Sequence, residues 1–180
     1  MNADHVKAIR KELFQNRSYD PMARPVKNYT TPVNVSIYLD INYVRMLDIK
    51  THVLESEGWI RLSWIDENLK WKAEDFGSIE DIRVRMTEVF QPDITLVNSV
   101  ETANVIKTST HSDLILWNTG EIFWMPAVTF RTICDIKLTD WPFDKQTCEF
   151  RFASWTYDGD ALDLRNSSEY SLPIDSLATG

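Results

Sequence analysis

The stretch Val33–Asn42 (VNVSIYLDIN) alternates apolar and polar residues with a period of two. Successive side chains of a β-strand point to opposite faces, so this alternation places one face against a core and the other in water. Five apolar residues share the first face: Val33, Val35, Ile37, Leu39 and Ile41. The stretch therefore predicts a half-buried β-strand.

The chain around this strand continues the same pattern after a helical beginning. Apolar residues at helical spacing predict a helix over 4–15. Runs of strand character predict further strands at 43–54, 58–65, 82–88, 94–98, 104–109, 113–117, 121–125, 128–136, 148–155 and 161–164. Many short strands behind one helix predict an all-β fold, a β-sandwich with a short N-terminal α-helix, in a single domain over residues 1–180.

The composition excludes several classes of protein. The 180 residues carry a net charge of −8, which repels phosphate, so we expect no nucleic-acid partner. We find no apolar run of about 18 residues, and the polar opening Met1–His5 does not resemble a signal peptide, so we expect neither a membrane span nor a leader. Because phosphate-binding loops and nucleophile motifs are also absent, we expect no enzyme activity and no cofactor.

Two cysteines, Cys134 and Cys148, are the only thiols in the sequence, and three scattered histidines add too few ligands for a metal site. Two buried free thiols and one disulfide are both compatible with this count. Four N-x-[ST] glycosylation sequons favour a secreted protein, in which a disulfide persists. Their acceptors are Asn16, Asn28, Asn34 and Asn166.

Two aromatic clusters are unusual for a plain sandwich. In the predicted strand Gly58–Trp64, the alternation places Trp59 on the polar face beside Arg61. It is either an amphipathic surface residue or a contact with a ligand or partner. The second cluster, Phe152–Gly159, carries Trp155 at a strand end. Aromatic rings in such a place either pack into the core or wall a cage for a quaternary ammonium group.

The segment Cys134–Cys148 (CDIKLTDWPFDKQTC) resembles the signature of the Cys-loop family of pentameric ligand-gated channels. Three further segments resemble motifs of that family and occur in its order. They are Trp59–Trp64 followed by Asp66 and Trp71, Phe90–Ile94 (FQPDI) and Ser154–Tyr157 (SWTY). The resemblance is closest to the extracellular domain of nicotinic acetylcholine receptors and to the soluble acetylcholine-binding proteins.

This resemblance implies a twisted, immunoglobulin-like β-sandwich on the extracellular side of a cell, with a Cys134–Cys148 disulfide. It also implies a homopentamer that binds a small neurotransmitter-type molecule between subunits, and a cationic molecule is one such ligand. The principal face of that site is expected to hold Phe90, Val97 and Trp155, with Tyr157 behind it. The complementary face is expected to hold Trp59, Arg61, Ile115, Phe123 and Met125. Such a protein is either soluble or the outer domain of a cation-selective channel, and it meets a membrane only in the second case.

The sequence departs from the acetylcholine-binding pattern at two positions. Val97 stands where those members carry a tyrosine, and Arg61 places a positive charge near the pocket, which opposes a cation unless a carboxylate pairs with it. These departures leave a second reading open, an orphan or decoy member that assembles but binds an amphiphilic or zwitterionic ligand, or none. The family's capping loop and last two strands are expected after residue 180, in a longer chain.

Overall fold

The N-terminal segment forms the expected helix. In the computed structural model, which describes residues 3–101 and 113–167, helix α1 spans Ala3–Arg10 and widens into a π-helix over Lys11–Asn16. Ile9 and Leu13 are fully buried, so the helix packs one face on the sandwich. No helix among the described residues is both long and apolar enough to cross a lipid bilayer.

Nine strands follow the helix within residues 3–101 and 113–167. They are β1 (Val33–Asp48), β2 (Val53–Ile65), β3 (Asp81–Val84), β4 (Ile94–Leu96), β5 (Leu114–Trp117), β6 (Glu121–Trp124), β7 (Ala127–Ile133), β8 (Phe152–Ser154) and β9 (Leu162–Asn166). Short 3-10 helices span Ala73–Phe76 and Met86–Glu88. The expected all-β immunoglobulin-like sandwich with one short N-terminal helix is therefore confirmed.

The strands form two sheets with the core between them. The larger sheet has the order β3-β5-β6-β2-β1-β9, and β7 pairs with the first half of β2. The smaller sheet pairs β4 with β8. Hydrogen bonds from Ile133 to Asn98 and from Val100 to Arg131 connect β7 to the segment that follows β4. This sandwich turns the alternate residues of each sheet outward, and those residues form its two outer faces.

The prediction of a separate strand at 43–54 is wrong. Strand β1 is continuous from Val33 to Asp48, and a turn leads into β2 at Val53. Register shifts in the β1–β2 pairing leave Asn42 and Arg45 as extra residues on β1. A bulge inserts one residue and reverses the phase of the alternation, so the sequence pattern breaks while the strand continues.

Other strand boundaries also differ from the expected ranges. The structure ends β3 at Val84, β7 at Ile133 and β4 at Leu96, and β8 begins only at Phe152. The run expected at 82–88 bends into the 3-10 helix that begins at Met86. The strand expected at 104–109 lies outside the described residues.

Candidate functional site

Trp155 lies at the tip of a tight turn after β8, and 78% of its surface is exposed. The backbone N–H of Trp155 donates to the carbonyl of Asp93, at 3.3 Å. The Asp93 carboxylate accepts hydrogen bonds from the Ser154 hydroxyl at 2.5 Å and from the Thr156 hydroxyl at 2.6 Å. The core-packing reading of Trp155 is therefore excluded, and a carboxylate holds the residues on both sides of it.

The charge state of Asp93 follows from this network. Partial burial raises the pKa of the carboxyl group, but the hydrogen bonds from Ser154 and Thr156 outweigh burial and lower its pKa below the ordinary value. The group is thus ionised at neutral pH and presents a negative charge beneath the turn. Sequence reasoning did not single out Asp93, although it quoted the Phe90–Ile94 motif that contains it.

Phe90 and Tyr157 support the turn from behind. Phe90 is 3% exposed, and its ring centroid lies 6.1 Å from that of Tyr157, which is half-buried. The backbone N–H of Phe90 donates to the Tyr19 hydroxyl at 3.0 Å. Phe90 therefore lies in the core, and Tyr157 lies between it and the surface. Their expected ligand contacts stay predictions.

Val97 and Trp155 lie on the same outer face but at opposite ends of the β4–β8 pair. Ile94 pairs with Ser154 and Leu96 with Phe152, so Val97 and Trp155 are four strand residues apart, or about 13 Å. Val97 is 60% exposed. The expected contact of Val97 with a ligand stays a prediction.

The five residues expected on the complementary face share the outer face of the larger sheet. Directly paired residues of an antiparallel ladder point to the same side. Ser63 pairs with Phe123, and Phe123 pairs with Ile115. The β2 register, with Leu62 opposite Trp124 and Trp59 opposite Ala127, places Met125 opposite Arg61.

Trp59 owes its outward position to the alternation of β2. Its neighbours Gly58 and Ile60 are buried, while Trp59 itself is 37% exposed. A Cβ atom on Gly58 would lie 2.1 Å from the backbone oxygen of Asp40, so only glycine permits this approach of the two strands. The close approach sets Trp59 directly opposite Asp40 on the outer face.

The charge of Arg61 has a partner. A guanidinium nitrogen of Arg61 donates to the Asp40 carboxylate at 3.1 Å, and the guanidinium carbon lies 5.0 Å from the centroid of the Tyr38 ring. The sequence left open whether a carboxylate neutralises this arginine. The structure supplies one, so the pair carries no net charge.

The two groups of expected site residues lie on opposite outer faces of the sandwich. Trp155 and Val97 belong to the smaller sheet, whereas Trp59 and Arg61 belong to the larger one. Within the described part of one chain, no single cleft contains both groups. Neither do three or more His, Cys, Asp or Glu side chains of residues 3–101 and 113–167 converge as a metal site would require.

The disulfide between Cys134 and Cys148 is present, with the two Cα atoms 4.9 Å apart, which confirms the expected pairing. The loop it closes exposes three large apolar side chains, Leu138, Trp141 and Phe143. The sequon residues Asn16, Asn28, Asn34 and Asn166 are all exposed. Their accessibility suits glycosylation, which stays a prediction.

Comparison with known proteins agrees with this geometry. The model of the neurotransmitter-gated ion-channel ligand binding domain matches residues 6–177. The chain belongs to this family. The resemblance drawn from the sequence motifs is thus confirmed, and the chain is an extracellular domain of a family of ligand-binding domains.

Relatives of this neurotransmitter-gated ligand-binding domain come from several animals. An acetylcholine receptor subunit of alpha type from Caenorhabditis elegans is 32% identical over 173 residues, which cover 89% of this chain and 34% of the relative. The alpha-like 2 acetylcholine receptor subunit of Drosophila melanogaster is 34% identical, and the match covers 91% of this chain and 28% of the relative. The neuronal acetylcholine receptor subunit alpha-5 of Homo sapiens is 34% identical, and the match covers 90% of this chain and 34% of the relative. The chain spans about a third of the length of these relatives.

Proposed function

We propose that this domain binds a small, cationic, neurotransmitter-type molecule between neighbouring subunits of a homopentamer. The observation that carries the proposal is the exposure of Trp155 on a turn held by the ionised Asp93. An exposed indole face attracts a quaternary ammonium group, with about 2 kcal/mol from one desolvated contact.

The ring-shaped assembly is supported by the placement of the two aromatic groups. Trp155 and Trp59 lie on opposite outer faces, so one chain presents its principal face where the next presents its complementary face. Head-to-tail contacts between unlike faces close into rings when the rotation permits. The resemblance of the Cys134–Cys148 segment to the pentameric channels makes a ring of five the expected assembly.

The exposed apolar side chains of the disulfide loop favour the outer domain of a channel over a soluble protein. Trp141 and Phe143 are 66% and 89% exposed, although both are large and apolar. Contiguous exposed apolar surface marks an interaction site. We propose that this loop, and the turn after Asp48, contact a membrane-embedded part of the receptor and transmit ligand binding to it.

The second reading, an orphan member with a non-cholinergic ligand, retains support from Val97 alone. The short side chain at this position leaves one wall of the aromatic site open. The positive charge of Arg61, which had also favoured that reading, is neutralised by Asp40.

A titration followed by tryptophan fluorescence tests the proposal. The purified assembled protein is titrated with carbachol, a quaternary ammonium compound, and we expect saturable quenching at micromolar concentrations. The variant Trp155→Ala should lose this response and keep the oligomer mass. Trp141→Ala is the matched control, since it removes another exposed indole outside the site. A flat trace up to millimolar carbachol would overturn the cationic ligand and direct the search to zwitterionic or amphiphilic compounds.

A further inference from the structure

The guanidinium group of Arg61 lies on the side of β2 that faces the neighbouring strand β1. Arg61 belongs to β2, but the Asp40 carboxylate, at 3.1 Å from its guanidinium, and the Tyr38 ring, at 5.0 Å, both belong to β1. Met125 and Phe123 lie on the opposite side of β2. A guanidinium that stacks on an aromatic ring and bonds a carboxylate is held in a defined orientation. The contacts therefore keep the charge of Arg61 on the β1 side.

Asp40 also lies close to the exposed indole of this face. It pairs directly with Trp59 across the β1–β2 ladder. Directly opposed residues have Cβ atoms about 5 Å apart. Asp40 and Arg61 are each about one-third exposed, at 35% and 33%, so bulk water screens their charges only in part. Both charges therefore act on anything that contacts Trp59.

We propose that Asp40 is a specificity-determining residue that makes the complementary face accept a cation. The inference rests on the proposed function, because it concerns the ligand that Trp59 contacts. Arginine stays protonated in proteins, so without Asp40 this face would present a permanent positive charge beside the indole. With Asp40 in place, the pair is neutral and the negative ring face is left to attract the cation.

Substitutions at Asp40 and Arg61 vary the net charge of this pair in single steps. The pair has a net charge of 0 in the native protein, +1 in Asp40→Asn and −1 in Arg61→Gln. The double variant, which carries both substitutions, again has a net charge of 0 at the pair. The Arg61 side chain starts about 7 Å along the strand from Trp59. At that distance and an intermediate effective dielectric, one unit charge changes a dissociation constant by about threefold to tenfold.

The experiment measures carbachol affinity for the four proteins by fluorescence titration of the assembled chain. Asp40→Asn should weaken binding by about threefold to tenfold, and Arg61→Gln should strengthen it by a similar factor. The double variant should return to within about twofold of the native value. These changes should shrink as NaCl is raised from low to high concentration, because salt screens charge. A gain of affinity in Arg61→Gln cannot result from misfolding.

A matched control comes from the same sheet face. Asp81 pairs with Arg83 on β3, three strand spacings from β2, or about 14 Å. Asp81→Asn makes the same charge change there and should leave carbachol affinity within about twofold. Two outcomes would overturn the inference alone, provided that the native protein binds carbachol saturably. In the first, Asp40→Asn has the native affinity for carbachol; in the second, the double variant binds carbachol as weakly as Asp40→Asn does. A flat native trace would overturn the proposed function together with the inference.

Discussion

The Asp93 carboxylate accepts two hydrogen bonds from Thr156, one from its backbone N–H and one from its hydroxyl, each at 2.6 Å. The two residues are 63 positions apart in the sequence: Asp93 directly precedes β4, and Thr156 follows the end of β8. Since Trp155 lies directly before Thr156, its exposed ring takes its position from the carboxylate. The position of the Trp155 ring thus depends on Asp93, a residue that is distant from it in sequence.

The variant Asp93→Asn should therefore weaken both folding and ligand binding. An amide can accept at only one oxygen, so at least one hydrogen bond from Ser154 or Thr156 is lost. Bonds to a charged acceptor are worth about 1.5–3 kcal/mol each, and we expect a loss of unfolding free energy of about 2 kcal/mol. Urea unfolding and carbachol titration measure the two effects. Thr156→Val keeps the backbone bond and should show a smaller loss; an equal loss would contradict this account.

The same carboxylate predicts an acid dependence. The folded-state pKa of Asp93 is lowered, so its ionised form is favoured by folding. That contribution is present above the unfolded pKa of about 3.9 and is lost as pH falls through the folded value. The stability difference between the native protein and Asp93→Asn should therefore shrink below about pH 4. A difference that stays constant from pH 7 to pH 3 would exclude ionised Asp93 as its source.

The sequence predicts the parts of this site that depend on neighbouring residues, and it misses the parts that depend on contacts between residues far apart in the chain. The alternation in β2 predicted the outward Trp59, because it is a local pattern. The bulges at Asn42 and Arg45 could not be predicted, since they show only in the pairing of β1 with β2. Asp40 and Asp93 were missed for a related reason: each acts on a residue that only strand pairing brings close.

Asp66 should show the opposite pH dependence to Asp93. It is fully buried, accepts a hydrogen bond from the Tyr19 hydroxyl at 2.5 Å, and burial raises its pKa. A raised carboxyl pKa contributes stability that is lost as pH rises through the folded value. Asp66→Asn removes the buried charge, so its stability relative to the native protein should increase from pH 4 to pH 8. Urea unfolding across that range measures the change, and a relative stability that falls with pH would contradict the prediction.

Tyr19→Phe tests the other half of this pair. The Tyr19 hydroxyl donates to one Asp66 oxygen and accepts from the Phe90 N–H, so its removal takes the partner of the Phe90 N–H and one donor of Asp66. The Asn68 N–H still donates to the other Asp66 oxygen at 2.9 Å. A buried polar group that loses its partner costs about 1–3 kcal/mol, and we expect a loss of unfolding free energy of about 2 kcal/mol. Phe14→Leu is a control for the neighbouring apolar packing, because the rings of Phe14 and Tyr19 touch edge to face. A loss in Tyr19→Phe no larger than about 0.5 kcal/mol would show that water replaces the hydroxyl.

Asn98 joins three segments behind Val97, and its isosteric variant tests that role. Its amide nitrogen donates to the carbonyls of Ile133 and Glu149, at 3.3 and 2.8 Å, and its oxygen accepts from the Arg151 N–H at 3.1 Å. Asn98→Asp has the same shape but turns a carboxylate oxygen toward two carbonyl oxygens. We expect a loss of about 2 kcal/mol, since two bonds are replaced by repulsion. Thermal unfolding measures it, with Asn118→Asp in an exterior turn as control. The repulsion disfavours the ionised form in the folded state, so the variant should recover stability as pH falls from 7 towards the unfolded pKa of about 3.9. A variant as stable as the native protein at pH 7 would show that Asn98 does not join these segments.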